Sequence, residues 1–301
     1  MPPRRFLLTG ASGFLGQAVT RRLHAARHEV VGLDIMPAST AGTAAHIIDD
    51  LSDPARLQAL LEHHRPTCII HAGGVSGPMV MSDQPVETLT VNVGGTLNLL
   101  RAASAAKVAT FIHCSSISAV GSYYETDPIG DDHPLRPDTP YGCSKAACEM
   151  LLQGLFGRIA MDLCGLRFST VYGPGRTTSL VTDAIADATL AGAAIEVPAT
   201  SDWPYIFIDD AADATVAAAL SSTRTQLMYF VSYPEQVSVQ DLAAAAAVAL
   251  GSAPIAVSMT GNPTNRGPVD IAPAMRDFAF SPKIDHREGM RRLVEARRVR
   301  P

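Results

Sequence analysis

Thr9-Gly10-Ala11-Ser12-Gly13-Phe14-Leu15-Gly16 is the stretch that decides the fold. It follows a short apolar run, Phe6–Thr9, that reads as a β-strand. It opens a pattern, Phe14–Arg27, that reads as a helix. The glycines are spaced G-x-x-G-x-x-G. Gly10 permits a tight turn out of the strand, Gly13 lets the backbone approach a ligand, and Gly16 lets the helix pack close to the sheet. A helix start also offers unbonded N–H groups and the positive end of its dipole, so the unit forms a phosphate cradle. The second strand, Val30–Asp34, ends on a carboxylate 18 positions after Gly16. Such a carboxylate accepts hydrogen bonds from ribose hydroxyls and repels a 2′-phosphate, which points to NAD over NADP. Gly10, Ser12, Gly13, Phe14, Leu15, Gly16 and Asp34 are therefore candidate cofactor contacts.

Outward from this unit, apolar runs and helical patterns keep alternating. His46–Ile48, Thr67–His71, Thr110–Ser115 and Asp162–Phe168 read as strands. Helices are expected from Asp53 as N-cap with Pro54 to about Glu62, over Val86–Ala106 and over Tyr141–Gly157. This alternation predicts an α/β fold, a Rossmann-type doubly wound parallel sheet covered on both faces. Asp50-Leu51 ends the third strand, where an adenine would lie. His71-Ala72-Gly73-Gly74 ends the fourth, at the carboxyl edge where such sheets bind ligands. After Gly173-Pro174-Gly175 short strands (Ile195–Val197, Tyr205–Ile208, Met228–Val231, Ile255–Val257) mix with alanine-rich helices (Asp210–Leu220, Val239–Leu250). The expected organisation is a dinucleotide-binding domain over 1–173 and a smaller, partly interleaved substrate-binding α/β cap over 174–301.

Composition narrows the function classes. The chain has 301 residues, 47% hydrophobic and 18% charged, which excludes intrinsic disorder. A net charge of −5 leaves no electrostatic footprint for nucleic acid or an anionic membrane. The longest apolar run, Leu242–Leu250, is nine residues, against the roughly 20 a membrane span needs. Five scattered cysteines without a Cys-x-x-Cys pair read as reduced thiols, so a cytoplasmic location is expected. His24 and His28 share a helix face but have no third ligand nearby, so they read as a solvated pair and no metal is expected. His113 reads as a satisfied core histidine.

Tyr141-Gly142-Cys143-Ser144-Lys145 opens a helix. Residues four apart share a helix face, so phenol and ammonium can converge on one ligand. A tyrosine with a pKa near 10 is a poor base; a neighbouring cation favours its phenolate and makes it a general acid/base for an alcohol–ketone pair. Ser115-Ser116 ends a strand 25 residues before Tyr141 and can orient the substrate oxygen. The connection from Ser116 to Pro140 is long and rich in turn residues, as functional loops are.

In order and spacing these motifs resemble the extended short-chain dehydrogenases/reductases of the NAD-dependent epimerase/dehydratase family. The resemblance runs from Phe6 to about Arg292. It also includes Val91-Asn92-Val93-Gly94-Gly95-Thr96, Leu166-Arg167…Val171-Tyr172-Gly173-Pro174-Gly175, Ile208-Asp209-Asp210-Ala211-Ala212 and Ser281-Pro282-Lys283-Ile284. It implies NAD as cofactor and a small sugar-derived substrate, with Ser116 holding the substrate hydroxyl, Tyr141 as acid/base and Lys145 as ribose anchor. It adds Asn92, beside Asp50, Leu51, Ala72, Gly73 and Gly74, to the cofactor contacts, and it implies a homodimer. The sequence departs from the family twice. No acidic pair follows Ser116, which argues against a dehydratase. Trp203 stands where nucleotide-sugar members carry a diphosphate-binding arginine, and an indole cannot replace a guanidinium on a phosphate, which with the short cap argues for a small substrate without a nucleotide handle unless Arg176 or Arg266 assumes the role. The segment His71–Ser76 and the short cap resemble the sugar-acid dehydrogenase branch, which puts Ser76 and Arg176 against the substrate. The expected activity is an NAD-dependent oxidoreductase acting on a secondary or anomeric alcohol of a small sugar acid or sugar, with a sugar or nucleotide-sugar epimerase as the alternative.

Overall fold

The computed structural model describes residues 2–39, 41–200, 202–264 and 266–299. The first half runs β1 (Arg5–Thr9), α1 (Phe14–Ala25), β2 (Glu29–Asp34), β3 (Ala45–Ile48), α2 (Pro54–His64), β4 (Cys68–His71), α3 (Pro85–Leu89), α4 (Gly95–Ala105), β5 (Thr110–Ser116), α5 (Pro140–Leu155) and β6 (Asp162–Phe168). The second adds β7 (Thr170–Tyr172), α6 (Val181–Ala191), β8 (Ile195–Thr200), β9 (Trp203–Phe207), α7 (Ile208–Leu220), β10 (Met228–Val231), β11 (Gln236–Val237), α8 (Val239–Leu250), β12 (Val257–Thr264), α9 (Ala272–Phe278) and α10 (His286–Arg298). Seven parallel strands form the central sheet in the order β3-β2-β1-β4-β5-β6-β10.

The strands are apolar on both sides because both sides are covered. In β1, Phe6, Leu7 and Leu8 are all fully buried. Leu7 packs in the layer of Leu57, Leu61, Leu99 and Leu100 from α2 and α4, while Phe6 and Leu8 face Ala18, Val19 and Leu23 of α1 and the alanines of α7. The helix starts follow local chemistry. Asp53 accepts the N–H groups of Ala55 and Arg56 ahead of α2, and Thr139 accepts that of Gly142 ahead of Pro140 and α5.

Two features differ from the reading of the sequence. Val86–Ala106 is not one regular helix: a π-turn over Thr90–Gly94 separates α3 from α4 and carries Asn92 into the interior. The strand expected at Ile255–Val257 is β12, beginning at Val257 and pairing in parallel with β8. Met228–Val231 pairs with β6 as the edge of the central sheet, so the chain after residue 173 is interleaved with the first half, while β7, β9 and β11 form one small sheet and β8 and β12 another. α7 is tied to α1 by Arg22 with Asp209 and Asp213. Asp210, buried beside them, accepts the N–H groups of Lys283 and Ile284. The aspartate pair thus fastens α10 and the segment before it to α7 and α1.

Candidate active site

β1 lies between β2 and β4, so consecutive crossovers leave it in opposite directions and open a crevice at its carboxyl end. A cavity of about 1810 Å³ begins there. Sites for one small molecule run to about 1,000 Å³, so this cavity has room for two ligands end to end. Its wall includes Gly10, Ser12, Gly13, Phe14, Leu15, Gly16, Asp34, Asp50, Leu51, Ala72, Gly73, Gly74, Ser76, Ser116, Tyr141, Lys145 and Arg176. Asn92 stands behind the wall. It is 4% exposed, its amide exchanges hydrogen bonds with the backbone of Val75, and it donates to Ser144 Oγ, which donates to the Tyr141 carbonyl. It braces the loop after β4 against the start of α5.

The dinucleotide end is shaped by contacts that tolerate no side chain. Gly10 has φ +68°, and a Cβ there would lie 2.7 Å from the Ala72 carbonyl oxygen. A Cβ on Gly16 would fall on the Gly10 carbonyl. The resulting cradle of backbone N–H groups fits a pyrophosphate. Asp34 is held ready for a ribose: one oxygen accepts the Ser12 N–H at 2.9 Å and the other the Met36 N–H at 3.0 Å. Asp50 accepts the N–H and hydroxyl of Ser52, and these bonds lower its pKa.

The reading of the sequence missed the brace beneath this turn. Thr96 Oγ1 donates to the Asn92 carbonyl at 2.6 Å, so it accepts from His71 Nε2–H at 2.9 Å. His71 Nδ1 then accepts from Thr9 Oγ1 at 2.7 Å, while Thr9 Oγ1 accepts the Gly73 N–H at 3.0 Å. This chain sets the tautomer of His71 and pins the glycine turn after β4. Burial, with a contribution from Lys145, lowers the His71 pKa to about 3. His113 departs from expectation: it is buried, yet neither ring nitrogen has a hydrogen-bond partner among the described residues. Burial holds its pKa well below the ordinary value.

At the chemical end, Lys145 is 8% exposed and donates from Nζ to the Cys114 carbonyl at 2.8 Å. The ammonium lies 5.8 Å from the centre of the Tyr141 ring. Ser116 Oγ accepts the Ser118 N–H, which holds it at the mouth of the following loop. Beyond Tyr141 the cavity meets two arginines. Arg176 lies over the Phe14 ring at 5.7 Å and donates to the carbonyls of Thr178 and Val171. Arg266 lies over the Trp203 ring at 5.1 Å, and Trp203 Nε1 donates to Thr170 Oγ1. Asp183 is the first charged neighbour of Arg176 and Asp138 that of Arg266, and both arginines line the cavity with Tyr141. Among the described residues no cluster of three or more His, Cys, Asp or Glu could hold a metal ion, and no helix is long and apolar enough to cross a membrane.

The sequence profile of the NAD dependent epimerase/dehydratase family matches residues 6–228. The chain belongs to this family. It is 30% identical to a UDP-glucose 4-epimerase of Mycolicibacterium smegmatis over 97% of both chains. It is 33% identical to a uronate dehydrogenase of Pseudomonas putida, over 57% of this chain and 62% of the other. The structure of the Thermus thermophilus UDP-glucose 4-epimerase in complex with NAD superposes with a TM-score of 0.84 at 26% identity, covering 98% of this chain and 99% of that one. The cofactor of this epimerase/dehydratase family member is NAD, in agreement with the fit of its glycine cradle and Asp34.

Proposed function

We propose that the protein is an NAD-dependent epimerase of a sugar derivative with an anionic substituent, a nucleotide-sugar foremost. The observation that carries this reading is the placement of two arginines, Arg176 and Arg266, in the wall of the cavity that Tyr141 also lines. A sugar held at Tyr141 would present a phosphate or carboxylate to this cationic wall. Similarity over the whole length to an epimerase supports the same choice, since the alignment with the dehydrogenase spans 173 residues.

Bound NAD supplies the acceptor for a hydride from the carbinol carbon and, in epimerisation, the donor that returns it. The residues of the chain handle the proton and the orientation. Tyr141 removes the hydroxyl proton and later restores it. Ser116 donates to the same oxygen. Lys145, its ammonium 5.8 Å from the centre of the Tyr141 ring, anchors the nicotinamide ribose. The backbone from Gly10 to Gly16, with Ser12, Phe14 and Leu15, cradles the pyrophosphate. Asp34 takes the adenosine ribose, and Asp50, Leu51 and Ala72–Gly74 line its path.

A second reading, net oxidation of a sugar acid, is favoured by one contact. Arg176 Nη2 lies within 3.9 Å of where a Cβ on Gly77 would be, beside Ser76, so this arginine reaches the loop after β4. One experiment separates the two. Purified protein without added NAD is incubated with UDP-hexoses and product is followed by NMR, while uronates are screened with free NAD for NADH absorbance. Epimer formation without added NAD supports the first reading; stoichiometric NADH with uronates and no epimer overturns it.

A further inference from the structure

We infer that Glu149 and Arg167 are positioning residues that couple the helix carrying Tyr141 and Lys145 to the strand end carrying Ser116; this rests on the reading just proposed. Glu149 follows Tyr141 and Lys145 at four-residue steps, so the three share one face of α5. Glu149 and Arg167 are 3% and 4% exposed. Arg167 donates from Nε and Nη2 to Glu149 Oε2 at 3.0 and 2.8 Å. Ser115 Oγ donates to Glu149 Oε1, and Ser115 faces Arg167 directly across the β5–β6 pair. The remaining guanidinium nitrogen, Nη1, donates to the Asp131 carbonyl at 2.8 Å, inside the connection between β5 and α5. The guanidinium plane rests on Phe230 of β10 at 5.2 Å.

One carboxylate therefore gathers α5, β5 and β6, and through Arg167 it also holds the loop over the site. Taking two charges out of water is expensive, and an apolar pair of similar volume stabilises a fold as well or better. What apolar contact cannot supply is direction. Forked hydrogen bonds set both distance and angle between the elements they join. Ser116 follows Ser115 immediately, and neither Glu149 nor Arg167 lines the cavity, so the pair acts on the site only through its neighbours. Reacting groups must be held to about 0.5 Å.

Two variants test this. Ser115→Ala removes one link and leaves the ion pair intact. Glu149→Leu with Arg167→Met removes the pair without stranding a charge. Since a misplacement of about 1 Å can cost ~100-fold, the double variant should lose about tenfold or more in kcat, and Ser115→Ala about threefold. KM and NAD affinity should stay within about threefold of the parent. Amide exchange over residues 117–139 should quicken in the NAD-loaded protein. Unchanged kcat and unchanged exchange in Ser115→Ala overturn the inference, which keeps it testable if the double variant does not fold. Loss of NAD affinity in parallel with kcat also overturns it, because that marks a merely structural pair. The exchange comparison needs no substrate. A parent enzyme inactive on every sugar therefore sinks the functional reading and leaves the positioning test standing.

Discussion

Arg266 lies on the face of Trp203, its guanidinium carbon 5.1 Å from the ring centre. The indole is itself fixed by its bond to Thr170. A tryptophan at this place therefore does not remove positive charge from the wall, because a guanidinium from elsewhere in the chain rests on it. A cation stacked on an aromatic face is held by its ring plane, and its charge stays at the wall.

From this follows the first prediction. Truncating one partner of a buried, hydrogen-bonded charge pair costs about 2–5 kcal/mol, so Arg266→Ala should weaken binding of a UDP-hexose by about 30-fold or more. NAD affinity should not change. Calorimetry with both ligands measures this, and equal losses for the two would show damage to the fold instead.

Tyr141→Phe should keep NAD binding and lose turnover by about 10²–10⁴-fold, the usual contribution of a positioned acid/base. Near-normal turnover would mean that another group moves the proton.

Asp34 presents a carboxylate whose two oxygens are fixed by the N–H groups of Ser12 and Met36. A 2′-phosphate placed there meets a like charge with no freedom to turn away. The protein should therefore bind NAD more tightly than NADP, and Asp34→Asn should narrow the gap. Titration of both dinucleotides against parent and variant decides it.

Stability should fall on acidification through His71. Its pKa drops from an ordinary 6.5 to about 3 in the folded protein because of burial and then Lys145. Below pH 6.5 the unfolded chain binds a proton that the folded chain refuses, so stability is full above about 6.5 and declines toward pH 3. His71→Gln stays neutral throughout and should show a flatter acid limb in Tm measured from pH 7 to 4. An unchanged slope would assign the acid sensitivity to other groups, His113 first.

Val86, Leu97 and Met150 are exposed on α3, α4 and α5. Apolar residues outside the face that covers the sheet call for a second partner. A homodimer through these helices is the expected state, and Met150→Glu should shift it toward monomer in light scattering at micromolar concentration.

Much of the site was legible in the sequence because its signals are local. The turn at Gly10, the close approach at Gly16 and the four-residue step from Tyr141 to Lys145 all follow from backbone geometry within one or two turns. The Asp53–Pro54 and Thr139–Pro140 starts are local in the same way. Alternation of apolar runs and helices was enough for the parallel sheet, since strands buried on both faces must be apolar throughout.

What required the tertiary structure were relations between distant segments. No periodicity places Met228–Val231 beside β6, because strand order depends on which crossover packs best and not on any one strand's residues. Asn92 has the composition of an ordinary helix residue, and only the π-turn and its bonds to Val75 and Ser144 carry it behind the cavity wall. His28, expected in solvent on one helix face with His24, lies beyond the end of α1 and is buried, its ring edge-on against Phe6 and its Nδ1 accepting the N–H of Arg4 from 24 residues away. Trp203 and Arg266, 63 positions apart, become one wall only when β9 and the segment after β12 meet. The sequence by itself determined the glycine turn, the shared helix face of Tyr141 and Lys145 and the layered fold, through short-range sterics and hydrophobic pattern. The tertiary structure decided which charges line the cavity, because long-range packing brings those side chains together.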